Sequence, residues 1–252
     1  MSFTVIIPAR LASTRLPNKP LALIDGVPMI VKVAQQAAKS GASRVIVACD
    51  DQAVQKVCHD HGIEAQLTSK DCACGTDRLS EVVSQINLND DEIIVNVQGD
   101  EPLIPVDIID LVAEILKNDS DLAMGTAAIR IRNAEEFFNP NVVKVELNKK
   151  NEALTFSRAP LPWDRDLFAK SKDSIPDDLG LRHVGIYSYR ASFLKLYPKL
   201  SKSPLETFES LEQLRALWHG YKIGVKIFDK EIPPGVDTLE DLERVRNFFA
   251  KK

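Results

Sequence analysis

Glycine is scarce where a nucleotide-binding chain would most need it. The 252 residues include 11 glycines. None falls in a GxxxxGK[ST] or GxGxxG pattern, so the standard phosphate-loop and dinucleotide fingerprints are absent. Cysteine is sparse too: Cys49, Cys58, Cys72 and Cys74 form no CxxC and, in a cytosolic chain, are expected to be reduced. Cys72-x-Cys74 with His59-x-His61 fits no standard zinc spacing, and buried or loop cysteines beside a helix-end histidine pair are the simpler account. No apolar run approaches the roughly 18 residues of a bilayer span. The short apolar N-terminus lacks the preceding basic region of a signal peptide, so a cytoplasmic protein with no membrane partner is expected. Net charge is −4, which denies nucleic acid a bulk basic field. No nucleic-acid partner is expected, and any anion site must be local. No repeat, low-complexity tract or evident linker divides the chain.

What is present reads as α/β. Apolar residues are 44% and charged residues 27%, ordinary for a globular protein. The length suits one domain, or one domain with a smaller inserted lobe. Phe3 to Pro8 is a continuous apolar run, as a strand covered on both faces requires. Pro28 opens a helix towards Ser40, and Gly41 ends it. Arg44–Cys49, "EAQLT" and Glu92–Val97 read as further strands. Between them, Asp50 or Asp51 caps a helix that stops at Gly62. Thr76–Ile86 sets Leu79, Val82, Val83 and Ile86 at helical spacing. This alternation predicts a mainly parallel sheet wound on both sides. Later, Leu122–Ile131, Val142–Leu147, Arg182–Arg190 and "KIGVKIF" read as strands, and Lys149–Asp178 as loops or an excursion from the core. Residues 125–200 read as an insertion-like lobe. Leu205–Trp218 reads as one helix with Phe208, Leu211, Leu214 and Leu217 on a stripe, and Asp237 or Thr238 caps a C-terminal helix.

Three polar clusters fall at the carboxyl ends of strands or just before a helix, where open parallel sheets bind ligands. In "VIIPARLASTRLPNKPL" (Val5–Leu21), Arg10, Arg15 and Lys19 follow the first strand, with Ala9, Ala12 and Ser13 small enough to let backbone N–H groups approach a ligand. Two guanidiniums and an ammonium suit a triphosphate; a solvated basic loop would look the same. "NVQGDEP" (Asn96–Pro102) places Asp100 and Glu101 behind Gly99. Such carboxylates hold Mg²⁺ at phosphate sites, and they also favour the start of a helix. "PGVDT" (Pro234–Thr238) is either a helix cap or a second metal carboxylate. "GTDRL", with Arg78, could meet an anion at a helix start. Arg158, His183, Tyr187, Glu212 and Gln213 are polar groups that the residue types alone do not single out.

Taken together, "IPARLASTRLPNKPL", "GTDRL", "NVQGDEP", "FNPNVVKV", "FSRAPLPWDRD", "RHVGIYSYR", "LEQLRALWHG" and "GVDTLEDLERV" resemble the 3-deoxy-manno-octulosonate cytidylyltransferases, nearly end to end. The resemblance implies a Rossmann-like, three-layer α/β nucleotidyltransferase fold whose inserted lobe supports a homodimer. It implies a Mg²⁺-dependent reaction of CTP with Kdo that yields CMP-Kdo and pyrophosphate for lipopolysaccharide. A related sugar acid, 8-amino-Kdo or a sialic acid, is the alternative substrate. On that resemblance Arg10, Lys19, Asp100 and Asp237 are catalytic, and Asp100 and Asp237 are the metal ligands. Pro8, Ala9, Arg10, Arg15, Lys19, Cys74, Gly75, Thr76 and Arg78 meet the nucleotide. Gln98, Arg158, His183, Tyr187, Glu212 and Gln213 surround the sugar acid. Asn18 stands where the family's "RLPGKP" has glycine, which a left-handed asparagine would accommodate. Cys74 and Asp77 depart from its "SGTER", with Asp77 a shorter carboxylate.

Overall fold

A computed structural model describes residues 2–13, 15–72 and 74–251. The chain begins with β1 (Phe3–Ala9), the hairpin of β2 (Leu23–Ile24) and β3 (Val27–Pro28), α1 (Met29–Ala37), β4 (Arg44–Cys49), α2 (Gln52–Asp60) and β5 (Glu64–Leu67). It continues with α3 (Gly75–Gln85), β6 (Ile93–Asn96), α4 (Val106–Asn118), β7 (Met124–Arg130), α5 (Ala134–Phe138), β8 (Lys144–Leu147), β9 (Ala153–Ser157) and α6 (Arg165–Phe168). The last elements are β10 (Leu181–Arg190), α7 (Ala191–Leu196), α8 (Pro204–Glu209), α9 (Gln213–Trp218), β11 (Ile223–Ile227) and α10 (Leu239–Ala250).

The main sheet runs β11-β7-β10-β6-β1-β4-β5. β1 pairs in parallel with β4 and β6, β4 with β5, and β7 with β11. Only β10 runs against its neighbours β6 and β7 within this row. The expected mainly parallel sheet is therefore present, and β10 is its antiparallel exception. β8 and β9 leave the row, pairing antiparallel with each other, while β8 touches β10 at Lys144 and Arg182.

Side chains alternate across the sheet, so the buried strands feed two cores. Val5, Ile7 and Val95 pack with α1, α2, α4 and α10 through Val33, Val54, Ile109 and Val245. Ile6, Ile46 and Ile94 pack on the other face with α3, α7 and α9 through Leu79, Leu194 and Leu214. The result is three layers, as strands without a polar face demand. Among the described residues no helix is long and apolar enough to cross a membrane.

Two expectations need correction. Leu205–Trp218 is not one helix. Ser210 takes a left-handed φ of 53° between α8 and α9. Arg215 folds back onto Glu206 across that corner, its Nε 2.9 Å from Oε2. Both side chains are almost fully buried, so the ion pair joins the two short helices at a bend instead of lying along a straight one. The three-residue apolar spacing continues through the bend, but Phe208 ends up 87% exposed. Lys149–Asp178, read as loops or an excursion from the core, is not loop throughout, since it contains β9 and α6. Phe156 of β9 is buried while Leu154 faces out.

Candidate active site

Reversal of strand order places the site. From β1 the chain winds to β4 and β5 on one side, and β6 lies on the other. The loops beyond β1, β4 and β6 therefore meet at a switch point, where open α/β sheets leave a crevice.

The opening loop supplies the cations. Asn18 has φ 55° and ψ 32° and precedes a single 3-10 turn, Lys19–Leu21. The expected left-handed asparagine is thus present, and it aims Lys19 inward. Lys19 Nζ lies 2.6 Å from Asp100 Oδ2 and 3.0 Å from Asp237 Oδ1. Burial alone would depress this ammonium's pKa, but the charge and hydrogen bonds of the two aspartates outweigh it and the net shift is upward. Arg15 lies 3.3 Å from Asp237. Arg10 donates to the Cys72 carbonyl at 2.8 Å, tying the opening loop to the segment before α3.

Gly99 lets the acidic loop come this close. A Cβ there would stand 2.6 Å from the Pro8 carbonyl oxygen, closer than any side chain tolerates. Burial and then the Asp100 charge push the neighbouring Glu101 carboxyl up to about 8. At neutral pH Glu101 is mostly protonated, and the negative charge facing Lys19 belongs to Asp100 and Asp237.

The ambiguous Asp237–Thr238 pair divides its work. Thr238 forms the capping box of α10 with Asp241. Asp237 is not the cap, and its carboxylate is left for Lys19 and Arg15. Asp50–Asp51 divides likewise. Asp51 caps α2 by accepting from the Ala53 amide, while Asp50 accepts from the Leu11 amide at 2.9 Å and pairs with Arg78 at 3.3 Å.

These residues border two adjoining cavities. One, of about 350 Å³, is lined by Pro8, Ala9, Arg10, Arg15, Lys19, Gln98, Asp100 and Asp237, among others. The other, of about 290 Å³, is lined by Gly75, Thr76, Asn96, Gln98, Tyr187, Tyr189, Tyr197, Glu212 and Gln213, among others. Gln98 belongs to both. Gly75 packs against the Pro8 ring, which a Cβ would approach to 3.7 Å. The two segments expected at the base are thereby in contact. Cys74 caps α3 beside them.

The second cavity's wall is built by the bend between α8 and α9. Tyr197 stacks under the Arg215 guanidinium at 4.5 Å and donates to the Glu212 carbonyl at 3.1 Å. Thr76 donates to the Glu212 carboxylate at 3.0 Å. Burial pushes the phenols of Tyr187, Tyr189 and Tyr197 well up, so all three stay neutral hydrogen-bonding groups.

Four expected residues are not on these walls: Cys74, which sits at the first turn of α3 beside them, and Arg78, Arg158 and His183. The Arg78 side chain is 2% exposed and turns back to Asp50, Thr68 and Ser69. Arg158 donates to the carbonyls of Glu209 at 2.7 Å and Pro140 at 3.1 Å. His183 meets Phe156 edge to face and Tyr187 at a tilt, with Nε2 3.1 Å from Thr126 Oγ1. The residue is only partly exposed, and burial pulls its pKa down to about 3. It is a neutral imidazole that buttresses Tyr187. Conversely, Asn96, Tyr189 and Tyr197 join the site without having been expected there, and Asp50 supports it from behind through the Leu11 amide. Asn96 carried one signal: an amide in an otherwise apolar strand.

The four cysteines sit where burial disfavours the thiolate. Burial pushes Cys49 up to about 11, Cys58 to about 12 and Cys72 to about 11, and raises Cys74 further. None offers a thiolate at neutral pH.

A cytidylyltransferase family model matches residues 4–227. A 3-deoxy-manno-octulosonate cytidylyltransferase of Herminiimonas arsenicoxydans is 54% identical over 252 residues, covering all of both chains. One from Leptothrix cholodnii is 53% identical over 250 residues, covering 99% of this chain and 92% of the relative. A solved CMP:2-keto-3-deoxy-manno-octonic acid synthetase, complexed with CTP, superposes with a TM-score of 0.90 at 38% identity, covering 100% of this chain and 99% of the other. The chain belongs to the 3-deoxy-manno-octulosonate cytidylyltransferase family.

Proposed function

We infer that the protein transfers CMP from CTP to Kdo, releasing pyrophosphate and forming the CMP-Kdo used for lipopolysaccharide. The observation that carries this reading is the junction of two unlike cavities at Gln98. One is cationic and carboxylate-lined; the other is lined by tyrosines and amides, with Glu212 as the carboxylate among its described residues. The first suits a triphosphate and the second a hydroxylated sugar.

Each residue's part follows from that division. Arg10, Arg15 and Lys19 screen the triphosphate, with Lys19 nearest the two aspartates. The Pro8–Ala9 backbone and Cys74–Thr76 receive the base. Gln98, Tyr187, Glu212 and Gln213 receive the sugar acid. Glu212 also sets its direction, because a sugar carboxylate avoids Glu212 and turns towards the cationic cavity. That brings the anomeric hydroxyl near the α-phosphorus, for in-line attack as pyrophosphate leaves. Two anions must meet, so positioning and charge compensation make up most of the catalysis. Arg78, through Asp50 and the Leu11 amide, holds the opening loop. Arg158 braces the turn at Glu209 that leads into Glu212, and His183 holds the Tyr187 ring.

Asp100 and Asp237 fit Mg²⁺. Both carboxylates already converge on a single cationic centre, Lys19 Nζ, and Mg²⁺ takes one or two carboxylates when phosphates complete its shell. Bound there, it would neutralise phosphate charge. We further propose a homodimer supported by the lobe within 125–200; size-exclusion chromatography with light scattering should give twice the 28.0 kDa chain mass.

Pyrophosphate release with CTP and a panel of sugar acids tests the reading. Kdo should be turned over; turnover of a sialic acid but not Kdo would replace it. Glu212 keeps a second substrate in view. An ammonium on the sugar's tail, as in 8-amino-Kdo, would be drawn to this carboxylate.

A further inference from the structure

Asn96 is the last residue of β6, paired with Ile6 of β1 on one side and Tyr187 of β10 on the other. Its neighbour on the same face, Ile94, belongs to the apolar core with Leu79 and Tyr189. A strand buried on both faces would ordinarily continue with Val, Ile or Leu at this position. The amide there is 2% exposed, and its Oδ1 has no hydrogen-bond partner among the described residues. Across the same cavity Gln213 is 5% exposed, and its Nε2 is likewise unpartnered. Buried polar atoms without partners are rare because each has lost water and gained nothing in return. Here one acceptor and one donor share a cavity of about 290 Å³ that the function already requires to take a polyhydroxylated ligand.

We propose that Asn96 is a specificity-determining residue of the sugar-acid site. Its Oδ1 accepts a hydrogen bond from one substrate hydroxyl, while Gln213 Nε2 donates to another substrate oxygen. The inference rests on the assignment of this cavity to the sugar. Its chemistry selects hydroxyl groups, which donate and accept, over hydrogen or methyl substituents, which would leave Asn96 Oδ1 and Gln213 Nε2 unpaired.

The test combines Asn96→Leu and Asn96→Asp with Kdo and a set of its monodeoxy analogues. Asn96→Leu should raise the KM for Kdo about 10-fold. The KM for CTP should stay unchanged, and the melting temperature should change little, because losing the unpaired acceptor offsets losing the Asn96–Tyr189 hydrogen bond. Asn96→Asp keeps an acceptor oxygen in place and should recover Kdo binding relative to the leucine variant. One monodeoxy analogue should lose about 10-fold with the parent and nothing further with Asn96→Leu. A structural role alone predicts a lower melting temperature and equal losses in both proteins. If Asn96→Leu does not fold, Asn96→Ala is read the same way. An unchanged Kdo KM in the folded variant overturns the proposal, as does a parent that loses nothing on any deoxy analogue. If the parent does not turn over Kdo at all, the assignment of the cavity fails first, and the two failures are thus separable.

Discussion

Replacing Asp50 by alanine should cost the fold and the nucleotide loop together. The Asp50 and Arg78 side chains are 7% and 2% exposed and 3.3 Å apart. Removing the carboxylate leaves a buried guanidinium whose acceptors among the described residues are Thr68 Oγ1 and the Ser69 carbonyl. Breaking a buried pair in this way costs about 3–5 kcal/mol. At roughly 2–4 °C per kcal/mol for a chain of this length, the melting temperature should fall by about 6–20 °C. The Leu11 amide loses its acceptor at the same time, so the loop bearing Arg10 should loosen and the KM for CTP should rise several-fold. Asp50→Asn keeps an oxygen for Leu11 and should spare CTP binding more than stability. The double variant Asp50→Asn with Arg78→Met removes the stranded charge and should be more stable than Asp50→Ala. Circular-dichroism melting and pyrophosphate release measure both effects. A melting temperature within a degree of the parent for Asp50→Ala, or a double variant no better than the single, would show that the pair does not hold this corner.

Further outcomes concern adjacent residues with separate tasks. Thr238→Ala should lower stability by about 0.5–2 kcal/mol through the lost cap of α10 and leave turnover intact, whereas Asp237→Ala should abolish most turnover at nearly parent stability; denaturant melts and turnover rates compare them. Gly99→Ala should displace the acidic loop, because its Cβ would meet the Pro8 carbonyl at 2.6 Å, and should cost about 1–3 kcal/mol along with activity, read by the same two assays. His183 is neutral when folded, its pKa pulled from 6.5 to about 3. Its contribution is complete above pH 6.5 and is lost as pH falls towards 3, since the unfolded chain takes up the proton first, with a slope of at most about 1.4 kcal/mol per pH unit. Urea melts of His183→Gln across that window should show a shallower decline than the parent.

Much of the architecture could be read from the chain because it rests on local chemistry. Uninterrupted apolar strands, Gly62 past the end of α2 and acidic helix starts all report a backbone choice made by near neighbours. The divided pairs could not be resolved this way. Asp50 and Asp51, or Asp237 and Thr238, are equally good caps in sequence, and only the third dimension shows which carboxylate is left for the site. The bend at Ser210 was hidden for a similar reason. Its apolar spacing still suits one helix, and the buried Glu206–Arg215 pair that favours the corner joins residues nine apart. That same bend builds the wall carrying Glu212 and Gln213. β9 escaped notice because it is five residues long and pairs only with β8, itself off the main row. Arg78 is expected at the ligand from the family resemblance and its place at a helix start; its length instead lets it reach back to Asp50, just past β4.

The most direct test of the whole account is product analysis. Purified protein, CTP, Kdo and Mg²⁺ should give CMP-Kdo and pyrophosphate in equal amounts. Asp100→Ala or a chelator in excess of the metal should stop the reaction, while the Asp100→Ala protein remains folded. Pyrophosphate release without CMP-Kdo, or undiminished turnover by Asp100→Ala, would contradict it.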